Sequence, residues 1–232
     1  MTDQKTPHAD APREPNFLLA RHERQLLRWI AARLPGRVMP DHLTALGVVA
    51  SLAIAGAYVL SNGSSAWLWV ASGLLVVHWL GDSLDGTLAR VRGIERPRYG
   101  YYLDHLVDGF ATVAICVGLG LSPHMLLATG FAIGVVYLML SINVYLETHA
   151  FDVFRLGYGR LGPTEARIAL IALNAALALG AGLGFRLEGI GLTVLDVAGL
   201  GIAAAMVAAL IVRAAGNLRR LALEEPAARP AR

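Results

Sequence analysis

The sequence predicts an all-α, polytopic membrane protein with six transmembrane helices, preceded by an amphipathic juxtamembrane helix. Three observations predict it. Hydrophobic residues make up 56% of the 232-residue chain and charged residues only 16%, against about 25% charged in soluble domains. Mean hydropathy is +0.54. Apolar runs recur at about 43–60, 66–89, 101–121, 125–146, 166–184 and 190–212, and at about 1.5 Å per residue each is long enough to cross ~30 Å of hydrocarbon.

Residues 1–15, rich in Asp, Pro, Ala and Lys with no apolar core, read as a disordered tail and not as a signal peptide. In residues 16–37, Phe17, Leu19, Leu26, Leu27 and Ile30 interleave with Arg21, Arg24, Arg28 and Arg33, the pattern of a basic helix lying on a membrane surface. A solvated juxtamembrane helix fits the same pattern. Pro40 ends that segment and opens the next helix, with Asp41 and Thr44 beside it for turn and cap roles. Residues 38–213 then form the six-helix membrane domain, and 214–232 a cytoplasmic tail.

Charge gives the orientation. The net +3 comes from arginine, since Lys5 is the only lysine. The links 61–65 and 122–124 carry no arginine, and that around 185–189 carries only Arg186. The opposite side holds Arg90, Arg92, Arg96 and Arg98, then Arg155, Arg160 and Arg167, then Arg213, Arg219 and Arg220. By the positive-inside rule that side, with both termini, is cytoplasmic. No aromatic-interleaved basic face accompanies these arginines, so nucleic acid is excluded as a partner. Cys116, alone, forms no intrachain disulfide.

The chemistry lies where the second span ends and the third begins, in Gly81-Asp-Ser-Leu-Asp-Gly-Thr-Leu-Ala-Arg90 and Gly100-Tyr-Tyr-Leu-Asp-His-Leu-Val-Asp108. Asp82 and Asp85 are three apart and Asp104 and Asp108 four apart, so each pair lines one helix face. A short cytoplasmic loop makes the two helices antiparallel neighbours, which lets all four carboxylates converge near the inner membrane boundary. Acids at that depth cost ~2.5 kcal/mol or more each without a cationic partner. Hard oxygen ligands favour Mg²⁺ or Mn²⁺, with Ca²⁺ also allowed, over zinc. A pair of such ions bridges phosphate oxygens in a phosphoryl-type displacement. Gly86 permits close approach of a pyrophosphate, and Arg90, one turn on, offers a fork for phosphate. Four acids that merely pair with loop arginines are the bland alternative.

These residues resemble the signature of the CDP-alcohol phosphotransferases, D-x-x-D-G-x-x-A-R, a spacer, then G-x-x-x-D-x-x-x-D, with every specified position present. The spacer from Arg90 to Gly100 holds nine residues where eight is commoner. The resemblance implies that Asp82, Asp85, Asp104 and Asp108 hold two divalent ions, Mg²⁺ or Mn²⁺, on the pyrophosphate of a CDP-linked lipid or alcohol donor. It implies nucleotide contacts from Gly86 and Arg90 and from Met39, Pro40, Asp41 and His42. A donor-phosphate hydroxyl often found three residues before the second glycine is replaced by Pro97. Asp108 corresponds to the family's general base. His105, directly after Asp104, matches the Asp-His pair of the choline and ethanolamine branch, so either residue can be the base.

Function follows as an expectation: transfer of a substituted phosphate from a CDP-alcohol, CDP-diacylglycerol with a small polar alcohol acceptor, releasing CMP within membrane phospholipid synthesis. CDP-choline or CDP-ethanolamine with diacylglycerol is the alternative. A divalent-cation transporter is the rival of another class, disfavoured because Arg90 would repel a passing cation; an inactive adaptor would not need an intact signature.

Further residues carry weaker signals. His78, one turn before Asp82, is either a core histidine or a partner orienting that carboxylate. Glu147, His149, Arg155, Arg160, Thr164 and Glu165 stand where an acceptor would enter, or serve as loop and cap residues. Asp196, with Arg186 and Glu188 nearby, is expected to pair at the far interface, and small residues in the last two spans suit close packing, a homodimer included.

Overall fold

The computed structural model describes residues 20–151, 162–180 and 191–225. Seven helices follow in order among them: α1 (Ala20–Ala31), α2 (Pro40–Leu60), α3 (Trp67–Arg92), α4 (Pro97–Gly120), α5 (Leu127–Phe151), α6 (Pro163–Ala178) and α7 (Val194–Glu224). The all-α expectation holds. Five of them, α2, α3, α4, α5 and α7, are long and apolar enough to cross a membrane. The outward faces stay apolar, with Val49 63%, Leu146 63% and Val212 74% exposed, as expected where hydrocarbon rather than water is the surrounding medium. The fifth expected span, 166–184, falls on α6, whose 16 residues reach about 24 Å, short of a full crossing; residues 181–184 lie outside the described residues.

Helix ends follow local chemistry. Proline stands at the first positions of α2, α4 and α6, where its missing N–H costs nothing. Gly93, at φ 64°, ends α3 in the left-handed conformation. The stretch from 214, expected as a tail, is instead helical through Glu224. Its polar residues are used: Asn217 donates to Glu147 at 2.6 Å, and the Arg220 guanidinium lies 4.5 Å from the Phe151 ring centre.

Neighbouring helices pack in the order α3 on α2, α2 on α4, α4 on α5 and α5 on α7, with α6 and α1 against α3. Ile54, Tyr58, Leu68 and Leu75 form one buried cluster with Leu177 and Leu195. Within it Tyr58 donates to Asn174 at 3.1 Å, and Asn174 donates to Ser72 at 3.3 Å. An asparagine inside an apolar helix needs such partners, and these bind α6 to α2 and α3. A second cluster seats α1: Leu27 and Ala31 pack with Leu43, Leu84 and Leu88.

α2 and α3 meet backbone to backbone. A Cβ on Gly81 would stand 2.7 Å from both the Gly47 nitrogen and the Leu43 carbonyl oxygen. This contact presses the residue before Asp82 against α2.

Asp196 departs from the expectation of an ion pair at an interface. It is fully buried and caps α7, its carboxylate accepting from the Thr193 N–H (2.8 Å), the Leu126 N–H (2.8 Å) and the Thr129 hydroxyl (2.7 Å). Hydrogen bonds replace the cation. Arg155, Arg160, Arg186, Glu188 and the tail 1–15 lie outside the described residues.

Candidate active site between α3 and α4

The α3–α4 turn is tied down by Arg92, which donates to the carbonyls of Val38, Leu34 (3.0 Å) and Pro35 (2.9 Å). α3 and α4 both pack on α2 rather than extensively on each other, and their aspartates gather beside its start. Asp82, Asp104 and Asp108 each place a carboxylate oxygen within 4.8 Å of the others. Asp85 is not in that trio. It lines the same pocket with Thr44, Gly47, His78, Asp82, Asp104 and Val107, and its carboxylate accepts from the Thr44 hydroxyl at 2.6 Å.

The donor set fits a hard divalent cation: three carboxylates converge, and oxygen is the only ligand type among them. The pocket also contains His78, 4% exposed, with its Nδ1 buried and unpaired among the described residues. His78 lies one turn before Asp82 on α3 and lines the same pocket, which leaves both the partner role and the core role open. The trio has a basic neighbour that sequence reasoning passed over as a loop charge: Arg167 of α6 donates to Asp82 at 2.6 Å, its side chain only 13% exposed.

The remaining candidates distribute as follows. Gly86 faces the Arg90 guanidinium, which would lie 3.4 Å from a Cβ there, and Arg90 donates to Thr87 at 3.3 Å. Met39 and His42 cap α2, the Met39 N–H donating to His42 Nδ1 at 3.2 Å. Pro40 opens the helix. Asp41 pairs with Arg96 at 2.5 Å on the exposed surface. His105 sits between Tyr101 and Tyr145, ring centres 4.1 and 4.8 Å away, and its Nδ1 lies 2.7 Å from the Tyr101 carbonyl and 3.6 Å from Asp104. A carbonyl only accepts, so Nδ1 carries the proton in the neutral ring and the lone pair is on Nε2.

The acceptor-side candidates take cap and brace roles. Glu147 accepts from Arg213, Asn217 and Asn143, and Glu165 accepts the Gly162 N–H at the start of α6. Thr164 donates to Glu23 of α1, which also accepts from Trp79, both at 2.8 Å. Glu23 thus joins α1, α3 and α6, a role no local sequence signal marks. His149 is exposed near the end of α5.

Comparison with known proteins decides the family. The profile of the CDP-alcohol phosphatidyltransferases matches residues 37–212. This chain belongs to that family. As a family member with five long apolar helices it is an integral membrane protein. It is 33% identical over 90 residues to a phosphatidylinositol phosphate synthase of Cutibacterium acnes, covering 39% of this chain and 41% of that protein. It is 26% identical over 157 residues to cholinephosphotransferase 1 of Danio rerio, covering 62% of this chain and 39% of that protein. The chain thus matches about two-fifths of the length of these curated relatives. The crystal structure of Mycobacterium tuberculosis phosphatidylinositol phosphate synthase with CDP-DAG bound aligns at a TM-score of 0.56 and 22% identity, over 83% of this chain and 92% of that one, a likeness of fold.

Proposed function

We propose that this protein transfers a substituted phosphate from CDP-diacylglycerol to the hydroxyl of a small polar alcohol, releasing CMP. The observation that carries the reading is the cluster of Asp82, Asp104 and Asp108, with Asp85 lining the same pocket as Asp82 and Asp104, in a chain of this family. The solved phosphatidylinositol phosphate synthase with CDP-DAG bound supports the donor.

In this reading Asp82, Asp104 and Asp108 hold Mg²⁺ or Mn²⁺, with Asp85 positioned by Thr44 to complete the ligand set. Such ions, when bound, supply positive charge to the pyrophosphate oxygens. Gly86 leaves room for the nucleotide, Arg90 offers it a guanidinium, and the segment Met39–His42 borders it. The acceptor oxygen bonds to the phosphorus bearing the diacylglycerol, the bond from that phosphorus to the CMP oxygen breaks, and the acceptor proton passes to a base. Asp108 is that base in the first instance. His105 is the alternative, since its Nε2 holds a lone pair. The arginine-rich ends of the helices support a cytoplasmic pocket and cytoplasmic termini under the positive-inside rule, with nucleotide drawn from the cytosol and lipid from the bilayer.

A second reading has its own observation. The Asp104–His105 pair and the match to cholinephosphotransferase 1 over 157 residues favour CDP-choline or CDP-ethanolamine as donor with diacylglycerol as acceptor. CMP release by purified protein in lipid nanodiscs with Mg²⁺ or Mn²⁺ separates the two. CDP-diacylglycerol with a panel of polyols, polyol phosphates and amino alcohols is expected to react. Release only from CDP-choline or CDP-ethanolamine with diacylglycerol would establish the second reading, and none from any pair would sink both.

A further inference from the structure

Three acidic side chains within 4.8 Å of one another face a cation that the chain itself supplies. Arg167 reaches from α6 to Asp82 at 2.6 Å and is largely shielded from solvent. A guanidinium stays protonated at any working pH, so this positive charge cannot be discharged to make room for another. It can only move. Its helix is held by separate contacts: Thr164 to Glu23, and Asn174 to Tyr58 and Ser72. Arg167 is therefore not needed to anchor α6, and its long side chain has rotamers to take up. His78, 4% exposed, lines the pocket beside Asp82.

We propose that Arg167 is the resident counter-cation of the carboxylate site, and that divalent metal binds by exchange, taking Asp82 while the guanidinium is released from it. This rests on the reading that the aspartates hold metal. Arg167 is thus a positioning residue: it keeps the carboxylates from repelling one another before loading, and it sets a threshold that the metal must overcome. One arginine offsets one of the charges of the trio, so the site retains the excess negative charge that draws a divalent ion in. At the effective dielectric of a partly solvated protein site, a unit charge a few ångströms from a divalent ion opposes its binding by well over a factor of ten.

The test uses the full-length protein in nanodiscs, with Mn²⁺ alone as the probe, titrated by calorimetry. Arg167→Gln is expected to bind Mn²⁺ at least about tenfold more tightly than wild type, and to lose thermal stability in EDTA far more than in saturating Mn²⁺. Equal affinity, weaker affinity or equal destabilisation with and without metal would overturn the exchange and leave Arg167 a strut. In wild-type protein labelled with ¹⁵N-arginine, the Arg167 Nε–H resonance, assigned by its absence from Arg167→Lys, is expected to shift as Mg²⁺ is added; an unmoved resonance at saturation refutes the proposal even where the glutamine variant does not fold. Wild-type protein that binds no Mn²⁺ at all would instead remove the metal reading on which the exchange depends.

Discussion

Gly81→Ala tests whether the active-site register is set by the α2–α3 contact. The added Cβ would lie 2.7 Å from the Gly47 nitrogen and the Leu43 carbonyl oxygen and 3.0 Å from the Gly47 Cα. All three are backbone atoms, so no side chain can swing aside. The helices must separate by roughly half an ångström to one ångström, a forced overpacking of the kind that costs about 1–3 kcal/mol. The same substitution at Gly56 or Gly73, where nothing lies within 4 Å, gains up to ~1 kcal/mol of helix propensity. Gly81→Ala gains the same propensity, so the expected gap to either control is the overpacking cost, about 1–3 kcal/mol, or several degrees in melting temperature. Separation also pulls Thr44 from Asp85, now 2.6 Å apart, so CMP release should fall more than stability alone accounts for. Thermal unfolding by fluorescence-detected gel filtration measures the first effect, and turnover below the melting transition the second. A Gly81→Ala protein as stable and active as Gly73→Ala would refute the argument that this backbone contact sets the site.

Asp85→Asn should abolish CMP release while the protein remains inserted and monodisperse; retained turnover would remove Asp85 from the machinery. His105→Ala should lower kcat by about 10²–10⁴ with donor binding intact if its Nε2 takes the acceptor proton, and a rate near wild type would leave Asp108 as the base. His124, in the link between α4 and α5, has a partly buried ring that pushes its pKa below the ordinary value. Folding then favours the neutral form, so stability is lost as pH falls below the unfolded value of about 6.5. Thermal stability measured between pH 7 and 5 should decline less steeply in His124→Gln, and parallel profiles would contradict the assignment.

The fold class was legible because an apolar run of fixed length has one physical meaning in a bilayer, where every backbone polar group must bond within its own helix. The signature spacing likewise carried Asp82, Asp104 and Asp108 to one point, since spacings of three and four select one helix face and a short turn makes α3 and α4 antiparallel. Nearly every error came from long-range pairing. Thr44 and Asp85 are 41 residues apart, Arg167 and Asp82 are 85 apart, and Glu23 and Thr164 are 141 apart. Asp196 was read as an interfacial charge because a buried hydrogen-bond cap from Thr129 and Leu126 leaves no periodic trace around it. The extent of α7 was missed because hydropathy stops at the membrane boundary, whereas the helix goes on wherever contacts such as Asn217 to Glu147 sustain it. By itself, then, the sequence determined the helical membrane class and three of the converging acids, both consequences of local periodicity. Only the tertiary structure decided which cation meets those acids and which hydroxyl holds Asp85, because such pairs depend on how α2 and α6 pack against α3, and packing is a property of surfaces in contact rather than of residues in order.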